Sequence, residues 1–80
     1  MKYRVEVILK KEILNPEARA VKESLQKKGV SHLKNLAISK NFIIELSNDC
    51  ADPMKELENI AQSYLANSLS ENYKISKLEP

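Results

Sequence analysis

The sequence predicts an α+β fold, a two-layer sandwich in which two helices cover one face of a small sheet. Three observations carry this reading. Apolar residues alternate with period two near the start, at Tyr3, Val5, Val7 and Leu9. Two Asx-Pro pairs, Asn15-Pro16 and Asp52-Pro53, each precede a stretch of helical periodicity. Eighty residues suffice for one domain with a thin core, so residues 1–80 are read as a single domain.

The first strand, Tyr3 to Leu9, directs Tyr3, Val5, Val7 and Leu9 to one face and Arg4, Glu6 and Ile8 to the other. Ile8 is the odd member, an apolar residue on the face that Arg4 and Glu6 mark as wet. Asn15 suits a helix N-cap because its side chain accepts from an otherwise unpaired N–H. Pro16 suits the first helical position, where no N–H is needed. Ala18, Val21 and Leu25 then recur at helical spacing, and Lys27-Lys28-Gly29 forms a basic last turn with glycine after it. Gly29 is the only glycine, so no Gly-rich phosphate loop is available.

Residues Val30 to Ile38 read as a second strand, with Leu36 and Ile38 on one face. Ser39-Lys40-Asn41 reads as a tight turn into Phe42-Ile43-Ile44-Glu45-Leu46, whose inward side carries Phe42, Ile44 and Leu46. Ile43, like Ile8, is apolar on the outward face. After a polar loop, Met54, Leu57, Ile60, Ala61, Tyr64 and Leu65 form the stripe of a helix lying on a sheet. Asn67 is suited to stop that helix in the left-handed conformation. Tyr73 to Leu78 supplies the last strand. The order β-α-β-β-α-β implies a four-stranded, largely antiparallel sheet with both helices on one face, of ferredoxin-like type.

Composition excludes several functions. One cysteine forbids an internal disulfide, and one cysteine with one histidine falls short of the roughly four ligands of a structural zinc site. The N-terminus has no apolar leader, and no apolar run approaches the ~20 residues of a membrane span. A lone cysteine fits a reducing compartment, so a cytoplasmic location and no membrane partner are expected. Residues 1–40 carry ten Lys/Arg against four Asp/Glu (+6) and residues 41–80 three against seven (−4), which sum to the net +2. The lysines of the basic half are scattered and no aromatic interleaves with them. They read as solvated faces, and nucleic acid is not expected as a partner.

No arrangement calls for catalysis. His32 has no acidic neighbour, and Cys50 lies between Asp49 and Asp52, whereas a reactive thiolate wants cations around it. Asp49 and Asp52 are too few for a calcium loop. The expectation is therefore no catalytic, cofactor-binding or metal site, and no cofactor. Ile8 and Ile43 on the open sheet face, in a chain short of core, instead suggest a subunit contact.

Leu65-Ala66-Asn67 followed by Glu71-Asn72-Tyr73 is similar to the closing signature of the PurS family of phosphoribosylformylglycinamidine synthase subunits. Asn15-Pro16 with Ala20-Val21 and Leu25 resembles its first helix. Ile38-Ser39-Lys40 with Ile44-Glu45-Leu46 resembles its Ile-Gly-Lys and Glu-Leu run. The sequence departs from the pattern at Ala37, Ser39 and Glu17-Ala18, where Arg, Gly and a Gln-Gly pair are usual. The resemblance implies a small non-catalytic subunit of purine biosynthesis. Such a subunit bridges a glutaminase and an ATP-dependent synthase that convert formylglycinamide ribonucleotide to the formylglycinamidine ribonucleotide, and it helps ammonia pass between them. It also implies self-association, as a homodimer or tetramer. Tyr73, in the closing signature, joins Ile8 and Ile43 as an expected interface residue. A second reading, from the residues alone, is a free-standing ferredoxin-like module binding RNA or a small regulatory ligand. RNA binding needs aromatics on the sheet face, and Tyr3, Phe42 and Tyr64 are assigned to the core.

Overall fold

The computed structural model describes residues 1–78. It contains β1 (Lys2–Leu9), α1 (Pro16–Lys27), β2 (Ser39–Glu45), α2 (Pro53–Ile60) and β3 (Glu71–Leu78). Residues Ala61–Leu65 continue α2 as a π-helical turn. The strands form one antiparallel sheet in the order β2-β1-β3. The expected fourth strand is not formed, because residues 30–38 carry no strand among the described residues. Ser39-Lys40-Asn41 is not a turn either; it begins β2, with Ser39 opposite Ile8 and Asn41 opposite Glu6. β2 is an edge strand, so polar side chains there remain solvated while their backbone pairs with β1, and the Ser39 hydroxyl donates to Glu6 Oε2 at 2.8 Å.

This topology explains why the two helices fare differently. β1 ends at Leu9 and β2 begins at Ser39, which pairs with Ile8, so the chain leaves and re-enters the sheet at the same end. The connection 10–38 need not cross the sheet, and α1 projects beyond it. β2 and β3 are both antiparallel to β1 and therefore parallel to each other. Joining them requires a crossover along the length of the sheet. α2 is that crossover, and it passes over the central strand.

The core reflects this. Tyr3, Val5 and Val7 of β1 meet Leu57 and Ala61 of the crossover helix, and Phe42, Ile44, Leu65, Ile75 and Tyr73 close its margins. Among α1 residues only Ala18 is buried, and it lies outside that cluster. Val21, expected to face inward, is 40% exposed, and Leu25 is half-buried. The expectation of two helices on one face is thus corrected to one. The molecule measures 51 × 30 × 14 Å with a Cα radius of gyration of 16.1 Å, where about 12 Å would suit a compact 80-residue chain.

Both helix starts follow the sequence. Asn15 Oδ1 accepts from the N–H groups of Glu17 (3.0 Å) and Ala18 (3.2 Å), and Asp52 Oδ1 accepts from Lys55 N–H (3.2 Å). Gly29 ends α1 with φ 103°, a conformation open to glycine. The end of α2 differs from expectation. No non-glycine residue among those described has positive φ, so Asn67 is not a left-handed stop. Instead Ala66 N–H donates to Ala61 O at 2.9 Å, a five-residue step that closes the π turn. The extra residue shifts the helical phase. Leu65 and Ala66 turn to the core, and Tyr64 swings out to 80% exposure.

Candidate subunit interface

The open face of the sheet follows from the register. Residues opposite one another in adjacent strands share a face, so the rows read Glu45-Lys2-Leu78, Ile43-Arg4-Ser76, Asn41-Glu6-Lys74 and Ser39-Ile8-Asn72. Ile8 and Ile43 both lie on this face. They are not contiguous, since the Asn41-Glu6-Lys74 row separates them and four residues of strand span roughly 13 Å. Ile43 is 58% exposed, surrounded by polar neighbours. Ile8 is half-buried and lines a depression together with residues of α1 and of the segment before β2.

Tyr73 belongs to the other face. It pairs with Val7 beside the core, and its hydroxyl accepts from Gln62 Nε2 at 3.0 Å. It lines a shallow polar pocket with Lys10, Gln62 and Glu71. There Lys10 Nζ donates to Ser68 O at 3.0 Å, and Glu71 Oε1 accepts from Asn67 N–H at 2.7 Å. Asn67 Oδ1 accepts from Leu69 N–H at 3.0 Å, which tightens the turn into β3. The closing Leu65–Tyr73 stretch is thus held by hydrogen bonds local to this turn and by Lys10.

A second depression, about 740 Å³, opens where β1 ends and α1 begins. Its floor is apolar, with Ile8, Leu9, Ala18, Leu36 and Ile38. Its rim carries Lys10, Lys11, Arg19 and Lys22 and no carboxylate. Leu14, 79% exposed, lines it too, and Val21 on α1 is 40% exposed. This is the largest departure from a finished domain. Helical spacing identified Val21 and Leu25 as apolar-face residues, but the exposure of Val21 depends on the topology of the connection and has no local signal.

The residues weighed for chemistry stay apart. His32 sits in an exposed turn after α1. Cys50 is a half-buried free thiol at the loop before α2, where the Ser47 hydroxyl donates to Asp49 Oδ1. No group of three or more potential metal-ligating side chains forms among the described residues. No helix among them is long and apolar enough to cross a membrane.

Comparison with known proteins adds three findings. The family model described as PurS, phosphoribosylformylglycinamidine (FGAM) synthase, matches residues 2–79. The chain is 33% identical over 73 residues to phosphoribosylformylglycinamidine synthase subunit PurS of Mycobacterium leprae, covering 91% of this chain and 90% of that one. Among solved structures, Methanocaldococcus jannaschii PurS, a subunit of formylglycinamide ribonucleotide amidotransferase in purine biosynthesis, is similar with TM-score 0.82 and 30% identity over 98% of each chain. Bacillus subtilis PurS has the same fold, with TM-score 0.85 and 24% identity over 94% of each chain.

Proposed function

The chain belongs to the PurS family, the small subunit of FGAM synthase in purine biosynthesis, and from that premise we propose that it is a non-catalytic bridge. In this reading residues 1–80 form one cytoplasmic domain with no active site or cofactor of its own. It self-associates as a homodimer or tetramer. It links a glutaminase subunit to an ATP-dependent synthase subunit and assists ammonia transfer between them. The observation that carries the bridging role is the exposed apolar surface of Ile13 and Leu14 before α1 and Val21 on it, at and beside a basic-rimmed depression. An 80-residue chain with six buried apolar side chains among its described residues has little stability to spare, so such surface favours partners that cover it. Ile8, Ile43 and Tyr73 remain the proposed interface residues of the sheet, on its two faces.

The test is omission. Purified glutaminase and synthase subunits are assayed for glutamine-dependent FGAM formation with and without this chain, and in parallel with ammonium salt as nitrogen source. The bridging role predicts that omission abolishes the glutamine-dependent rate and spares the ammonium-dependent one. An unchanged glutamine-dependent rate contradicts it. The RNA-binding alternative gains nothing from the open sheet face, whose described rows contain no aromatic side chain.

A further inference from the structure

We infer that the basic-rimmed depression beside α1 is a binding site for a mononucleotide, which seats its phosphate among the rim cations and its base on the apolar floor. The site requires neither bridging nor self-association. Its walls are the end of β1, the first turns of α1 and the segment before β2.

Three features of the hollow select this ligand. The first is charge. Lys10, Lys11, Arg19 and Lys22 line it and no carboxylate does. Arg19 is paired with Glu23 at 3.2 Å, while the three lysines form no salt bridge among the described residues. Lys10 and Lys22 are half-buried, which weakens the screening of their charge by water. A hollow lined by one sign of charge draws in the opposite sign, and a phosphomonoester carries nearly two negative charges at neutral pH. Side chains hold the phosphate here, in a chain whose only glycine ends α1.

The second is size and floor. About 740 Å³ lies within the range of small-molecule sites, roughly 300–1,000 Å³. Ile8, Leu9, Leu36 and Ile38 on the floor are each only partly buried, so a flat base laid on them removes apolar surface from water. The third is the pair of carboxamides, Asn15 and Asn35, in the same lining. Asn15 Oδ1 is occupied by the helix cap, which leaves its amide N–H groups as donors. Asn35 offers both a donor and an acceptor. The edge of a nucleobase uses such groups, whereas the chain of a fatty acid would leave them unpaired.

The test is titration of the isotope-labelled full-length chain with AMP, adenosine and inorganic phosphate, followed by backbone amide NMR. AMP is expected to move the amides of residues 8–11, 18–22 and 35–38 and to leave those of α2 in place. Adenosine and inorganic phosphate, each lacking half of the contact, are expected to bind at least about tenfold more weakly. Lys22→Gln is expected to weaken AMP binding by about tenfold and Lys22→Arg to retain it. Lys27→Gln, outside the depression, is expected to change nothing. No shift at ~5 mM AMP overturns the site, since that concentration detects even weak binding. Inorganic phosphate binding as tightly as AMP reduces it to an adventitious ion only. Poly-L-glutamate moving the same amides where AMP does not assigns the surface to an acidic protein and overturns the nucleotide site. So do amides there that shift with the concentration of the chain alone and ignore AMP, which would mark a contact between copies.

Discussion

The helices α1 and α2 begin alike and end in different surroundings. Each opens with an Asx cap, a proline and an acidic residue in its first turn, and each carries an apolar stripe. Yet Leu57 of α2 is fully buried, while no large apolar residue of α1 is. The difference does not lie in the helices. It lies in the strands they connect. α2 joins two strands that run the same way and must cross the sheet, so its stripe meets the core. α1 joins neighbours that run oppositely and need not cross the sheet, so its stripe stays outside the central core. Amphipathicity specifies that a face wants cover, and connectivity decides whether the same chain supplies it.

The largest expected effect falls on α2. Leu57→Ala removes a fully buried side chain from the centre of the core, and chemical denaturation should show a loss of about 2–5 kcal/mol. Leu25→Ala, the matching change in α1, should cost less than the Leu57 change in the dilute chain, because Leu25 is only partly buried and lies outside the core cluster. An equal loss at the two positions would mean that α1 is packed as firmly as α2.

Next comes Gly29→Ala. The position has φ 103° with open space around it, so the cost is backbone strain alone, roughly 1–2 kcal/mol. Because Gly29 closes a helix outside the core, the change should appear as lost helicity in α1 by circular dichroism, with little shift in the unfolding midpoint. The caps give a similar contrast. Asp52→Ala should lower global stability by about 1 kcal/mol through α2, whereas Asn15→Ala should fray α1 locally and leave the midpoint nearly unchanged. The smallest effect on the isolated chain belongs to Ile43→Glu. At an exposed site its own stability should move by less than about 0.5 kcal/mol. Self-association, if the open face takes part, should weaken in light scattering; unchanged association removes Ile43 from the interface.

The same contrast separates what was legible in the sequence from what was not. β1, the two capped helix starts and the Gly29 stop were readable because each depends on a few adjacent residues. The Leu57–Ala61 face was readable from its period. The region from Val30 to Asn41 was misread because Ser39-Lys40-Asn41 has turn chemistry, and pairing with β1 at a solvated edge overrides that preference. Tyr64 was misplaced because a π turn shifts the phase by one residue, and nothing in Ala61–Leu65 announces it. Of the expected interface residues, Ile8 and Ile43 follow directly from alternation in their strands. Their separation by the Glu6 row, and the place of Tyr73 on the covered face, require the register. The exposure of Val21 on α1 was invisible, because it is a property of how strands connect.

The most direct measurement is amide hydrogen exchange of the wild-type chain, followed separately in α1 and α2 across a range of protein concentrations. An unfinished module completed by its partners predicts slow exchange in α2 throughout. In α1, protection should be weak in dilute solution and rise with concentration or on adding the synthase and glutaminase subunits. Protection of α1 equal to that of α2 at the lowest concentration, unchanged by any partner, would contradict it.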